Sequence, residues 1–149
     1  MTTRKASLFR AAQTGDLGLL RAALEGEAKV ICQDGEGWTP LHVASWNGHT
    51  ECVRLLIQHG AEVNVGNKKA STPLHLAAGY GHTRCIQLLL ECDADPFLQD
   101  NEGRTARDLA LDRGHANCVD LLDAHTARQA LDDLWIRRET GEENQTFLP

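Results

Sequence analysis

The stretch from Trp38 to Val63, WTPLHVASWNGHTECVRLLIQHGAEV, returns twice downstream at a constant offset of 33 residues. The copies begin at Ser71 (STPLHLAAGYGHTRCIQLLLECDADP) and Arg104 (RTARDLALDRGHANCVDLLDAHTARQ), with Thr39, Thr72 and Thr105 at the same position in each. Self-similarity at this period constrains the chain to stacked units, each of which buries its apolar face on its neighbours. Subtracting the period from Leu41, Ala44 and Gly48 lands on Leu8, Ala11 and Gly15, so a divergent unit precedes these three. Adding it to Leu109 lands on Glu142, and there is no further unit.

Thr39-Pro40-Leu41-His42 and Thr72-Pro73-Leu74-His75 are each followed by an alanine-containing turn, Gly-His and a Leu-Leu pair. Over roughly residues 4 to 126 the pattern is similar to the ankyrin repeat family. The resemblance implies an all-α solenoid of helix-turn-helix units joined by protruding β-hairpin-like loops, and a family whose usual activity is binding other proteins. It divides residues 1–126 into four repeats: an N-terminal cap at 1–33, units at 34–66 and 67–99, and a C-terminal cap at 100–126.

Local chemistry supports this division. Thr39 and Thr72 are N-caps whose hydroxyls accept from an unpaired amide of the first turn, and Pro40 and Pro73 sit where a missing N–H costs nothing. Gly48 and Gly81 end the first helices. Leu55, Leu56, Leu88 and Leu89 lie on second helices and hold the units together by apolar burial. In the first unit the spacing predicts helices over about 7–14 and 17–25, with Val30 and Ile31 entering a hairpin.

Three departures from the pattern are informative. Ala70 stands where Gly37 and Gly103 occupy the other hairpin tips, which predicts a distorted or mobile tip around Asn67 to Ala70. Asp93 replaces Gly60 at a turn better suited to glycine. In the fourth unit Ala106, Arg107 and Asp108 replace proline, the core leucine and histidine. Arg107 points to solvent only if nothing stacks beyond it, while Thr105 and Asp108 keep capping-box spacing.

Thr126 to Gln129 also has capping-box spacing, with Ala127, Ala130, Leu131, Leu134 and Trp135 on one helical face. This predicts an extra amphipathic helix over 127–138, either covering the exposed end of the stack or docking a partner. If it does not fold back, its apolar face is open to another chain. Residues 139–149 read as a disordered acidic tail. The expected state is a monomer.

With 149 residues, 42% of them hydrophobic, the chain is long enough for one domain and too short for two sizeable ones. Neither an apolar leader core nor a run of about 20 apolar residues is present, so neither secretion nor a membrane partner is expected. A net charge of −6 argues against nucleic acid. Cys52, Cys85 and Cys118 recur at the repeat period on successive second helices. Helices stacked about 8–10 Å apart exceed disulfide reach, so these residues should remain thiols, which favours a cytoplasmic or nuclear location.

Repetition also governs the histidines. The resemblance implies that His42 and His75 bridge the backbone and threonine hydroxyls of adjacent hairpins. His49, His82 and His115 occupy one equivalent slot, whereas metal ligands must converge. Phosphate loops, nucleophile elbows and paired-cysteine motifs are missing, which leaves no expected cofactor, metal or catalytic residue.

What varies between copies is the surface that the family resemblance assigns to binding: hairpin tips and the exposed side of the first helices. Position by position this gives Glu36, Trp38, Trp46, Asn47, Lys68, Lys69, Tyr80, Arg104, Asp112 and Arg113. Exposed aromatics and arginines are enriched among interface hot spots. Leu56 with Glu62-Val63-Asn64 resembles an asparagine-hydroxylation pattern with Asn64 as acceptor. The expected function is that of an adaptor or scaffold binding one protein partner. The alternative is a stoichiometric inhibitor that occludes an enzyme or a transcription factor.

Overall fold

The computed structural model describes residues 2–25 and 31–140, the side chains of 2–4 and 140 aside. The described residues form only helices and turns. They comprise α1 (Thr2–Thr14), α2 (Leu17–Glu25), α3 (Pro40–Asn47), α4 (Thr50–Gln58), α5 (Pro73–Gly79), α6 (Thr83–Glu91), α7 (Ala106–Asp112) and α8 (Ala116–Thr140). The odd-numbered helices pack side by side in one row, and the even-numbered helices form a second row behind them. This is an all-α repeat solenoid.

Its core repeats with the sequence. Leu8, Leu41 and Leu74 are buried, as are Ala11, Ala44, Ala77 and Ala110 in the inner row. Behind them Leu20, Val53, Ile86 and Val119 form one buried line, and Leu56, Leu89 and Leu122 another. Burial at about 25 cal/mol per Å2 makes these lines the main stabilising contribution. The five cysteines are free, with Cys52, Cys85 and Cys118 buried among them.

The threonines cap as the sequence requires. Thr39, Thr72 and Thr105 each accept from the backbone of the residue three ahead, closing capping boxes with His42, His75 and Asp108. His42 Nδ1 accepts from the Thr39 amide at 3.1 Å, and Nε2 donates to the Ser71 carbonyl at 2.9 Å. His75 repeats this with Thr72 at 3.2 Å and with the Arg104 carbonyl at 2.9 Å. Each imidazole therefore fastens its own helix start to the next hairpin.

A second histidine line points the other way. Nε2 of His49, His82 and His115 donates to the carbonyls of Gln13, Trp46 and Gly79 at 3.0, 2.9 and 3.1 Å. The imidazoles sit against the turn glycines of the preceding units. A Cβ on Gly48 would lie 2.5 Å from His82 Nδ1, and the Gly48 φ of +75° is itself left-handed.

The tip at Asn67 to Ala70 departs from expectation. Ala70 does take a left-handed φ of 59°, yet the hairpin closes normally. Asn67 Oδ1 accepts from the amides of Lys69 (2.9 Å) and Ser71 (3.1 Å), as Asp34 and Asp100 do at the neighbouring tips. These side-chain bonds hold the turn against the strain at Ala70. Asp93 likewise adopts φ 69° at the Gly60-equivalent turn.

The C-terminal region requires a correction. No separate helix occupies 127–138, because α8 runs unbroken from Ala116 to Thr140. The Thr126 hydroxyl donates to the Asp123 carbonyl at 3.0 Å, a back-bond inside a continuing helix instead of a cap. Residues 127–139 are all exposed, so this segment does not cover the end of the stack. Of the expected disordered tail, Glu139 and Thr140 belong to α8, and 141–149 lie outside the described residues, as does Val30. Arg107 points outward as expected, its Nε 2.6 Å from Asp123 Oδ1.

Candidate functional site

Successive hairpin tips are joined to one another. Lys68 N–H donates to the Glu36 carbonyl at 3.0 Å, and Asn101 N–H to the Lys69 carbonyl at 2.9 Å. The Asn101 side-chain amide adds a bond to the Lys68 carbonyl at 3.0 Å. The tips and the inner helices beside them thus form one continuous surface, onto which the variable side chains project.

An aromatic row crosses this surface obliquely. Trp38, at the base of a hairpin, meets Trp46 at the end of α3 with ring centroids 5.4 Å apart and planes at 74°. Trp46 meets Tyr80 of the next unit at 5.8 Å and 80°. Arg113, one unit further on, lies over the Tyr80 ring at 4.9 Å. Edge-to-face rings and a guanidinium over a π face are both favourable arrangements. Trp46 and Tyr80 remain exposed, whereas Trp38 is half-buried and also contacts the His42 ring at 5.9 Å. Trp38 therefore both supports the hairpin and belongs to the row.

Gly79 stands where the second unit has Trp46, and Arg113 Nη1 donates to the Gly79 carbonyl at 3.4 Å. Hydrogen bonding from Trp46 first, and then from Arg113, lowers the Tyr80 phenol below its ordinary pKa.

Beside the row lies a groove of about 470 Å3 lined by Glu36, Trp38, Lys69, Tyr80, Arg104 and Arg113, six of the ten residues expected to bind. Its far wall is charged. Arg104 pairs with Asp100 at 3.3 Å and Glu102 at 3.4 Å. Burial pushes the Asp100 carboxyl up, but the Arg104 and Glu102 amides together with the Arg104 charge outweigh it and hold its pKa low.

The other four expected residues are placed differently. Trp46 belongs to the row outside the groove, and Lys68 stands exposed at its tip. Asn47 turns inward, donating from Nδ2 to the Val43 carbonyl at 3.0 Å, and Asp112 is exposed at the end of α7. Leu76, Leu109 and Asp100 line the groove without having been singled out. Their residue types read as core or turn, and nothing local marks them as surface-forming.

Asn64 is held by the following unit. Its Oδ1 accepts from the Asp95 amide at 2.7 Å, and its Nδ2 donates to the Asp93 carbonyl at 3.2 Å. This gives the asparagine a structural use whether or not it is modified. Among the described residues no group of three histidine, cysteine or acidic side chains is placed to hold a metal ion, and no helix is long and apolar enough to cross a membrane.

Two family models match the chain: ankyrin repeats (3 copies) over residues 3–67 and ankyrin repeats (many copies) over 56–110. Ankyrin repeat domain-containing protein 29 of Danio rerio is 48% identical over 60 residues, which are 40% of this chain and 20% of that protein. Its Homo sapiens counterpart is 45% identical over 58 residues, 38% of this chain and 19% of that protein. The 2-5A-dependent ribonuclease of Mus musculus is 44% identical over 57 residues, 38% of this chain and 8% of that protein. The chain thus matches about a fifth or less of the length of these relatives, and the likeness lies in the repeats themselves. Repeat period, capping chemistry, the two histidine lines and these matches agree: the chain belongs to the ankyrin repeat proteins.

Proposed function

We propose that the chain is a non-catalytic interaction module, an adaptor or scaffold that binds one protein partner across the surface of its hairpin tips and inner helices. Ankyrin repeats are generally protein-interaction modules. The observation that carries this reading is the exposed row of Trp46, Tyr80 and Arg113 beside a charged groove. Rigid aromatics supply contact area at low entropic cost, and arginine supplies directional hydrogen bonds, so together they form an anchor with a polar rim. The free cysteines fit a reducing compartment, cytoplasm or nucleus.

The test is capture of a partner by the wild-type chain, followed by measurement of its affinity for purified variants. Trp46→Ala/Tyr80→Ala is expected to weaken binding by about 2 kcal/mol or more, while Arg84→Ala, exposed on the opposite row at α6, leaves it unchanged. Equal affinity of the aromatic variant and wild type, with both melting alike, rules out this surface. Where the partner is an enzyme, a one-to-one titration of its activity separates a scaffold from an inhibitor.

A further inference from the structure

The charges of the groove select the chemistry of what enters it. Lys69, Arg104 and Arg113 line it together with Glu36, Asp100 and Glu102, so the two signs are equal in number, but they are not equally free. The Asp100 side chain is only 7% exposed and is occupied within its own turn, where it accepts from the amides of Glu102 and Arg104 and pairs with the Arg104 guanidinium at 3.3 Å. Glu102 pairs with the same guanidinium at 3.4 Å. Lys69 and Arg113 are exposed, and neither forms an ion pair among the described residues. The same holds for Lys68, beside Lys69 at the tip. Of the three carboxylates only Glu36, at the preceding tip, is left without a cation among the described residues.

Both free cations of the lining are held in place. The Lys69 amide donates to Asn67 Oδ1 and its carbonyl accepts from the Asn101 amide, which fixes the backbone beneath the ammonium group. Arg113 rests over the Tyr80 ring at 4.9 Å, and a guanidinium presents its N–H donors in a planar fork that suits a carboxylate. Tyr80 bears on the sign of the ligand. A second cation brought to its ring meets the charge of Arg113 already there. The hydrogen bonds from Trp46 and then Arg113 that lower the phenol's pKa mark a place where negative charge is favoured. The whole chain bears a net charge of −6, so this end of the groove runs against the general field. We infer that the groove takes an acidic peptide segment of the partner, its carboxylates facing Lys69 and Arg113 and an apolar neighbour resting on Tyr80. This rests on the reading of the surface as the partner-binding one and adds the sign of the ligand.

Two capped peptides, EELFEE and its charge-reversed counterpart KKLFKK, test it when each is titrated to about 2 mM into the full isotope-labelled chain and followed by amide NMR shifts. EELFEE is expected to move the amides of Lys69, Tyr80 and Arg113 saturably, and KKLFKK to leave them in place. Lys69→Glu and Arg84→Glu change the net charge equally, and both residues are exposed and outside any ion pair among the described residues. Only the first is expected to weaken EELFEE, by about tenfold. The inference is overturned by the absence of a saturable EELFEE shift in the groove, by KKLFKK binding there as well or better, or by equal weakening in the two variants. Binding of KKLFKK in the groove reverses the sign and leaves the surface reading in place. That reading fails only on the separate measurement of partner affinity with Trp46→Ala/Tyr80→Ala.

Discussion

His82 Nε2 donates to the main-chain carbonyl of Trp46 at 2.9 Å, so one imidazole both locks the third unit to the second and fixes the backbone that carries an exposed tryptophan. The same ring fills the space beside Gly48, where a Cβ would stand 2.5 Å from Nδ1. Repeat stacking and site geometry are therefore set by one contact.

Gly48→Ala must overcome both this clash and a φ of +75°. The expected loss is about 2–3 kcal/mol of unfolding free energy, read as a lower urea midpoint. Gly35→Ala is the control, since nothing lies within 4 Å of its added Cβ and its φ is not positive. A change of about 0.5 kcal/mol or less is expected there. Equal effects of the two substitutions contradict the histidine-glycine contact.

Ala70 tests how a strained turn is held. Its φ of 59° suits glycine, and the neighbouring tips have Gly37 and Gly103 at this position. Ala70→Gly relieves strain but makes the unfolded chain more flexible, and relief is the larger effect, so stability is expected to rise by about 0.5–1 kcal/mol. Asn67→Ala removes the two side-chain bonds that close the tip and is expected to lower stability. A rise in melting temperature for the first variant and a fall for the second, in parallel thermal scans, is the expected pair of results.

The period, the caps, the buried lines and the outward Arg107 were all legible in the sequence, because each recurs or fails at a fixed offset. Thr126 misled because a threonine hydroxyl serves equally as a cap or as a back-bond within a helix, and only the unbroken backbone on both sides decides. Trp46, Tyr80 and Arg113 were recognisable singly as variable positions. Their alignment into a row depends on how far each unit is rotated on the last, which has no local signature.

Burial lowers the His42 pKa from 6.5 to about 4. The sign follows from the neutral ring: Nδ1 accepts from the Thr39 amide, and a proton there breaks that bond. The unfolded chain binds its proton near pH 6.5 and the folded chain only near pH 4, so stability is intact above 6.5 and falls as pH drops toward 4. The full loss attributable to this residue is about 3 kcal/mol. Urea melts across this window, alongside the NMR titration of the His42 ring, are expected to show both. A ring that titrates near 6.5 in the folded chain is the contrary result.

Ser45 Oγ is buried and finds no hydrogen-bond partner among the described residues. Ala12 and Ala78 occupy the same position in the adjoining units and are fully buried. Ser45→Ala removes an unsatisfied polar group at almost no change in volume, so stability is expected to rise by about 1 kcal/mol. A higher chemical-denaturation midpoint with an unchanged slope is the expected reading, and a lower midpoint shows that the hydroxyl is satisfied in solution.

The aromatic row makes a prediction about coupling that a scatter of independent contacts does not. Trp46 and Tyr80 sit in different repeats yet meet edge to face at 5.8 Å, and Arg113 braces Tyr80 from the other side at 4.9 Å. Removing either ring leaves the other free to move, so a second removal costs less than the first. In a double-mutant cycle on the isolated chain, Trp46→Ala and Tyr80→Ala are expected to show a coupling of about 0.5–1.5 kcal/mol in unfolding free energy. Tyr80→Ala and Lys68→Ala, which share no ring contact, are expected to add within about 0.5 kcal/mol. The same cycle run on partner affinity then separates two roles. Coupling larger in the complex than in the free chain means the row docks as a preformed unit, because the partner gains from rings already held in place. Coupling that vanishes in the complex means that the rings part on binding and contact the partner separately.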